Sequence, residues 1–250
     1  MSIRSILCFR GLGTEERTDL SDLLTLKDLK VDIRVPGGMV HAVKGASFSV
    51  PRGGAVALVG ESGSGKSVIA QAIMGILPQA ADITGGEILF HDPEKPGKVV
   101  DIAQIPRAGA KMRKIRGGRI SIVFQDAMSS LSQIHTIGDQ IGEALHLHRK
   151  VKKKEGLEMV KTMLRLVGFP DPDHAHKMYP FELSGGLRQR AVIAMALICR
   201  PALIIADEPT TALDVSIQAQ ILKLIGDVQE ELGMALLIIT HDLGVVANIA

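Results

Sequence analysis

"LVGESGSGKSVIA", residues 58–70, packs Gly60, Gly63 and Gly65 with Ser62 and Ser64 into one short loop, then follows them with Lys66, Ser67 and an apolar run. Before the loop, residues 55–59 are continuously apolar, as in a strand buried on both faces. After it, residues 65–77 show helical spacing up to Pro78. Glycine lets successive backbone N–H groups turn inward around an anion, and the helix N-terminus adds positive potential. Gly60, Gly65, Lys66 and Ser67 satisfy G-x-x-x-x-G-K-[ST] in the strand–loop–helix setting that the mechanism demands. The loop Gly60, Glu61, Ser62, Gly63, Ser64, Gly65 is therefore expected to cradle nucleotide phosphates, with Lys66 reaching the terminal phosphates and Ser67 holding magnesium. A glycine-rich turn without a ligand is the plain alternative, and a chance match in a chain of this length runs on the order of 1%.

Outward from the loop, residues 23–33 and 40–50 alternate roughly, as half-buried strands do, while 119–124, 203–206 and 235–240 read as buried strands. Each of those three is followed by a polar or glycine-containing turn and a helical pattern. Such alternation implies an α/β fold with a parallel sheet, whose ligands sit beyond the carboxyl ends of the strands. Between residues 124 and 203 the pattern changes: 137–147, 152–167 and 185–199 have helical spacing and few strand signals, which predicts a mostly helical insertion. Residues 1–22 carry only an apolar patch at 3–9 and are expected to be a loose extension.

The overall composition sets limits. Hydrophobic residues make up 46% of the 250, enough for a sizeable core. Lys plus Arg number 29 against 27 Asp plus Glu, so no strong global field argues for nucleic acid. The one basic run, residues 149–154, reads as a solvated helix start. Two cysteines, Cys8 and Cys199, are too few for a disulfide framework, and Cys199 is expected to pack as a small hydrophobe. No apolar stretch approaches the roughly 18 to 20 residues that span a bilayer. His174 and His176, two apart beside prolines, read as a surface loop rather than a metal site.

Two further stretches carry chemistry. "LIIADEP", residues 203–209, delivers Asp207 and Glu208 to the end of a buried strand. Beside a phosphate loop, such an Asp supports a magnesium shell and the adjacent Glu polarises an attacking water. "LSGGLRQR", residues 183–190, opens a long helix with the Ser184 hydroxyl and the exposed amides of Gly185 and Gly186.

This last stretch resembles the signature sequence of ABC-transporter ATPase subunits. The resemblance implies a P-loop NTPase (RecA-like) core with an antiparallel β subdomain and a helical subdomain inserted at about residues 126–182, the ABC ATPase fold. It covers about residues 23–250, while the family's pattern runs on into further strands and a cysteine-bearing tail. The C-terminal part of the family's chain is thus expected to be absent. Further positions follow from the resemblance. Gln125 looks like the glutamine that contacts magnesium and water. Asp214, closing "TTALD", looks like the residue that crosses to a second subunit, and His241 like the switch histidine at the γ-phosphate. Lys66, Gln125, Glu208 and His241 are then the catalytic set, and Ser67, Gln125 and Asp207 the magnesium ligands. Ser184, Gly185, Gly186 and Asp214 would act on ATP held by another cassette.

The wording around these motifs, "ADEPTTALDVSIQAQIL" and "ITHDLGVVA" among them, is similar to the ATP-binding subunits of bacterial dipeptide, oligopeptide and nickel importers. That branch implies an ATPase that energises uptake of peptides or a related solute. Its partners would be a second ABC ATPase subunit, identical or a sister, two transmembrane permease subunits and, indirectly, a periplasmic solute-binding protein. Its place would be the cytoplasmic face of the bacterial inner membrane, with no nucleic acid. The alternatives are a soluble ABC ATPase acting on ribosomes or DNA, and a binding module without hydrolysis. The sequence departs from the branch at Ala127, Ser132, Gln133 and Leu187. It also lacks an obvious adenine-stacking aromatic; Ile33, Val35 and His41 occupy that neighbourhood.

Overall fold

Runs of alternating and of continuous apolar residues sort into two sheets. The computed structural model describes residues 22–125, 130–209, 215–242 and 244. The first sheet is antiparallel, built from β1 (Asp22–Val35), β2 (Gly38–Pro51), β4 (Ala81–His91) and β5 (Val99–Asp101) in the order β2-β1-β4-β5. Pro36 and Gly37 turn β1 into β2; proline presets the first dihedral, and Gly37 takes the positive φ, 95°, that the second position of a type II turn needs. Asp22 belongs to β1, whereas residues 1–21 of the expected extension lie outside the described residues.

The second sheet is parallel, with β3 (Ala55–Val59), β6 (Ile120–Val123), β7 (Leu203–Asp207) and β8 (Ala235–Thr240) in the order β3-β8-β7-β6. Every residue of β7 and β8 is buried, as expected for strands covered on both faces. Period-2 alternation divides them between two cores. Leu203, Ile205, Leu237 and Ile239 pack on one side with helix α1 (Lys66–Met74) and the antiparallel sheet. Ile204, Ala206, Leu236 and Ile238 pack on the other with α3 (Ile137–His148), α4 (Lys153–Leu166), α6 (Gly185–Leu197) and α7 (Val215–Leu232). Two short helices, α2 (Ala110–Ile115) and α5 (Pro172–Ala175), also occur among the described residues. Full burial of each such Leu or Ile contributes about 1.5–3 kcal/mol, so the parallel strands form a stiff platform for whatever their ends carry.

One boundary is corrected. Helix α1 stops at Gly75, not at Pro78: Gly75 adopts φ 61° and its N–H closes on the Ala72 carbonyl, while Ile76 N–H closes on that of Gln71. A left-handed glycine ends the helix before the proline is reached. The proline- and glycine-containing loop after β4 is anchored at its start. Buried Asp92 receives Arg119 Nε at 2.9 Å and Nη2 at 2.7 Å, tying that loop to the entry of β6.

Candidate nucleotide site

All four parallel strands point their carboxyl ends the same way, so the sheet order sets the site. β3 runs into the loop 60–65, β8 into His241, β7 into Asp207 and Glu208, and β6 toward Gln125. A cleft of about 700 Å³ opens there, lined by Ser62–Ser67 of the loop, Gln125, Glu208 and part of the β1–β2 hairpin. Larger grooves lie elsewhere, one of about 1380 Å³, but they do not gather these groups.

The loop needs its glycines. Gly63 takes φ 77° and faces open space, and a Cβ on Gly65, at φ 94°, would collide with the Ala42 carbonyl. Gly65 caps α1 without a side chain, so the first-turn amides are not covered by a side-chain cap. Lys66 is 6% exposed and lies across the loop, donating to the Gly60 carbonyl at 2.7 Å and the Glu61 carbonyl at 2.8 Å. Amides without a side-chain cap at a helix start, beside an ammonium, make a setting suited to an anion.

Ser67 Oγ donates to Asp207 Oδ1 at 3.1 Å. Asp207 is buried, and burial pushes its carboxyl above the usual carboxylate range, against which the Ser67 hydroxyl and the Lys66 charge pull down. A hydroxyl, a carboxylate that is costly to bury and the nearby amide of Gln125 are the hard oxygen donors that magnesium prefers, so the residues fit that ion.

Glu208 has φ 48°, a left-handed backbone that costs a non-glycine residue about 1–2 kcal/mol. Its N–H donates to the Ile239 carbonyl at 2.9 Å, and its Oε1 meets His241 Nδ1 at 3.0 Å. With the carboxylate ionised, that contact requires the proton on Nδ1. The strained turn thus ends β7 with a carboxylate in the cleft and an imidazole beside it.

At the other end of the cleft, Ile33, Met39, Val40 and His41 line the hairpin side, Val35 does not, and the lining holds no Phe, Tyr or Trp. Asp32 Oδ1 holds the His41 ring by Nδ1 at 2.8 Å. Ser184, Gly185 and Gly186 stand apart from the cleft lining. Ser184 caps α6, its Oγ accepting from Leu187 N–H at 3.4 Å, and Gly185 and Gly186 begin the helix. Asp214 lies outside the described residues. One residue had no assigned part in the sequence reading: Gln189 is buried in α6 and donates from Nε2 to the Pro209 carbonyl at 2.7 Å. The available signal was its position three and four residues before buried Val192 and Ile193, on one helix face.

Cys199 is buried, and burial pushes its thiol up, as suits a packed hydrophobe. Among the described residues no helix is long and apolar enough to cross a membrane.

Comparison with known proteins agrees with this geometry. A family profile described as "ABC transporter" matches residues 43–211. The dipeptide transport ATP-binding protein DppD of Bacillus subtilis is 50% identical over 232 residues, covering 92% of this chain and 67% of that protein. The glutathione import ATP-binding protein GsiA of Salmonella typhimurium is 45% identical over 236 residues, 94% of this chain but 37% of its own length. Among solved structures, the dimeric ATP-binding cassette MJ0796 in a post-hydrolysis state with ADP and phosphate superposes with a TM-score of 0.75 at 26% identity, covering 90% of each chain. The chain belongs to the ABC transporter family, and its two sheets and helices form the ABC ATPase fold. It spans about two thirds of the length of DppD and little more than a third of GsiA.

Proposed function

We propose that this chain is the ATP-binding and hydrolysing motor of an importer for peptides or a related small solute. The observation that carries the ATPase part is the convergence at one sheet edge of a glycine cradle, the Ser67–Asp207 pair and the Glu208–His241 pair. The similarity to peptide and glutathione import proteins supports the solute class.

In this reading the loop amides and Lys66 neutralise the phosphates of ATP, the task on which phosphoryl transfer chiefly depends. Ser67, Asp207 and Gln125 hold magnesium, which when bound supplies charge neutralisation at the phosphate oxygens. Glu208 orients and deprotonates the attacking water, and His241 keeps its carboxylate in place and faces the γ-phosphate. Ser184, Gly185, Gly186 and Asp214 serve the nucleotide of a second cassette, a copy of this chain or a sister subunit, so that ATP lies between two ATPase domains. The dimeric MJ0796 cassette supports that arrangement. Two permease subunits would dock on the helical stretch that includes α3 to α5, and a periplasmic solute-binding protein would deliver cargo. The motor would then sit on the cytoplasmic face of the bacterial inner membrane without spanning it.

Two measurements test this. Purified protein should hydrolyse ATP with magnesium and stop on chelation; no ATP affinity would overturn the reading. Protein drawn from membranes should bring hydrophobic permease subunits with it, whereas sedimentation with ribosomes or DNA instead would replace the importer by a soluble ATPase.

A further inference from the structure

Glu208 stands on a strained backbone, and such a conformation persists only where its surroundings hold it. Upstream the hold is plain: the Glu208 N–H is bonded to the Ile239 carbonyl of β8. Downstream the next residue is Pro209, which has no N–H to give, and whose ring disfavours the right-handed helical region at Glu208. The Pro209 carbonyl is a polar handle on the downstream side. It is met inside the protein by Gln189 Nε2 at 2.7 Å.

Three consecutive polar side chains of α6 go different ways. Arg188 Nε donates to the Pro180 carbonyl and Arg190 Nη1 to the Val167 carbonyl, both on the helical side of the molecule. Gln189 alone of the three is buried and turned toward the end of β7. A glutamine that is 4% exposed, with its amide aimed at one carbonyl, answers a specific polar need, because the same volume of hydrocarbon would leave that carbonyl unpaired.

We propose that Gln189 is a positioning residue for hydrolysis: its amide fixes the Pro209 carbonyl, and through it the left-handed turn that directs the Glu208 carboxylate into the cleft. The inference rests on the ATPase reading above and deepens it. Gln189 touches neither nucleotide nor water in this account; it acts through the backbone of its neighbour. Since Ser184 caps α6, the same amide fastens that helix to the end of β7 about a turn and a half beyond the cap.

The test is steady-state ATPase kinetics of the wild type, Gln189→Leu and Gln189→Glu, with ATP binding measured directly. Gln189→Leu should lower kcat about tenfold to a hundredfold while KM and ATP affinity stay within about twofold, since positioning is lost and binding is not. Gln189→Glu adds a readout that packing alone would not move. An ionised glutamate opposes the carbonyl, while the protonated acid donates to it, and burial raises its pKa. The ratio of its kcat to that of wild type should therefore climb severalfold between about pH 8 and about pH 6, and the Gln189→Leu ratio should stay level. A kcat within about twofold of wild type in Gln189→Leu, or a flat ratio in Gln189→Glu, overturns the proposal. Where Gln189→Leu fails to fold, Gln189→Glu decides alone; failure of both to fold also contradicts the proposal, which assigns the residue a local task. A wild type that binds ATP but never hydrolyses it overturns the ATPase reading and this inference together, whereas normal wild-type turnover with insensitive variants removes only the inference.

Discussion

Helices α1 and α6 each have a glycine at or next to the cap and a serine hydroxyl close by, yet their first turns are finished differently. At α1 the cap is a left-handed Gly65 with no side-chain bond, the next residue is a buried lysine, and Ser67 already leans on Asp207 across the sheet. At α6 the hydroxyl of Ser184 closes on its own helix at Leu187, and Ser184 is not among the described residues that line the cleft. The first helix end faces the cleft with no side-chain cap; the second is capped by its own serine and stands apart from the described cleft lining. The difference teaches that the two helix ends suit different tasks, which in the function proposed above are a grip on the chain's own triphosphate and a contact to that of a second cassette.

The largest effect should come from the cleft that α1 faces. Glu208→Gln removes the proposed base but keeps the size of the side chain, so steady-state hydrolysis should fall about 10²- to 10⁴-fold with ATP binding intact. Near-normal turnover in an ATPase assay would take Glu208 out of the role. Next, Gly65→Ala should weaken ATP binding on the order of 100-fold in a titration, because the Cβ meets the Ala42 carbonyl and φ 94° becomes strained. Tight binding in that variant would mean that the cradle tolerates a different loop path.

The helix end that stands apart from the cleft should respond in another quantity. Ser184→Ala loses a helix cap, about 1 kcal/mol of stability, and should leave single-copy ATP affinity unchanged while lowering hydrolysis about tenfold. A parallel loss of affinity, measured on the isolated protein, would place α6 in the chain's own site and erase the contrast.

The smallest effect concerns stability. Burial raises the Asp207 pKa in the folded protein, so the folded state prefers the proton and ionisation opposes folding. The sign follows: without magnesium, stability should fall as pH climbs through the raised pKa, and Asp207→Asn should melt higher than wild type at neutral pH. Added magnesium should narrow that gap by stabilising only the carboxylate. Equal melting temperatures without the ion would show that the buried charge is not strained.

How much of this was legible in the residues depends on how local each signal is. Strands β3 and β8 match their expected limits because continuous apolar runs between polar turns admit one reading. The end of α1 was misplaced because Pro78 is the louder stop signal, yet Gly75 acts first. No residues were assigned to β4 in advance: Gly85 and Gly86 interrupt its alternation, and it is held by pairing with β1 across an irregularity at Asp28, whose φ is 45°. The motifs supplied the names of the groups at the cleft but not their pairings. Ser67 and Asp207 are 140 residues apart in sequence, and only the sheet order β3-β8-β7-β6 makes them neighbours. Gln189 was hidden for a different reason, since glutamine between two arginines ordinarily faces water.

The contrast between the two helix starts is tested most directly by the mass of Glu208→Gln protein in solution, measured by sedimentation with saturating ATP and then with ADP. The account predicts two copies with ATP and one with ADP, because the start of α6 needs the nucleotide held by another cradle. Bound ATP with only single copies in solution would contradict it.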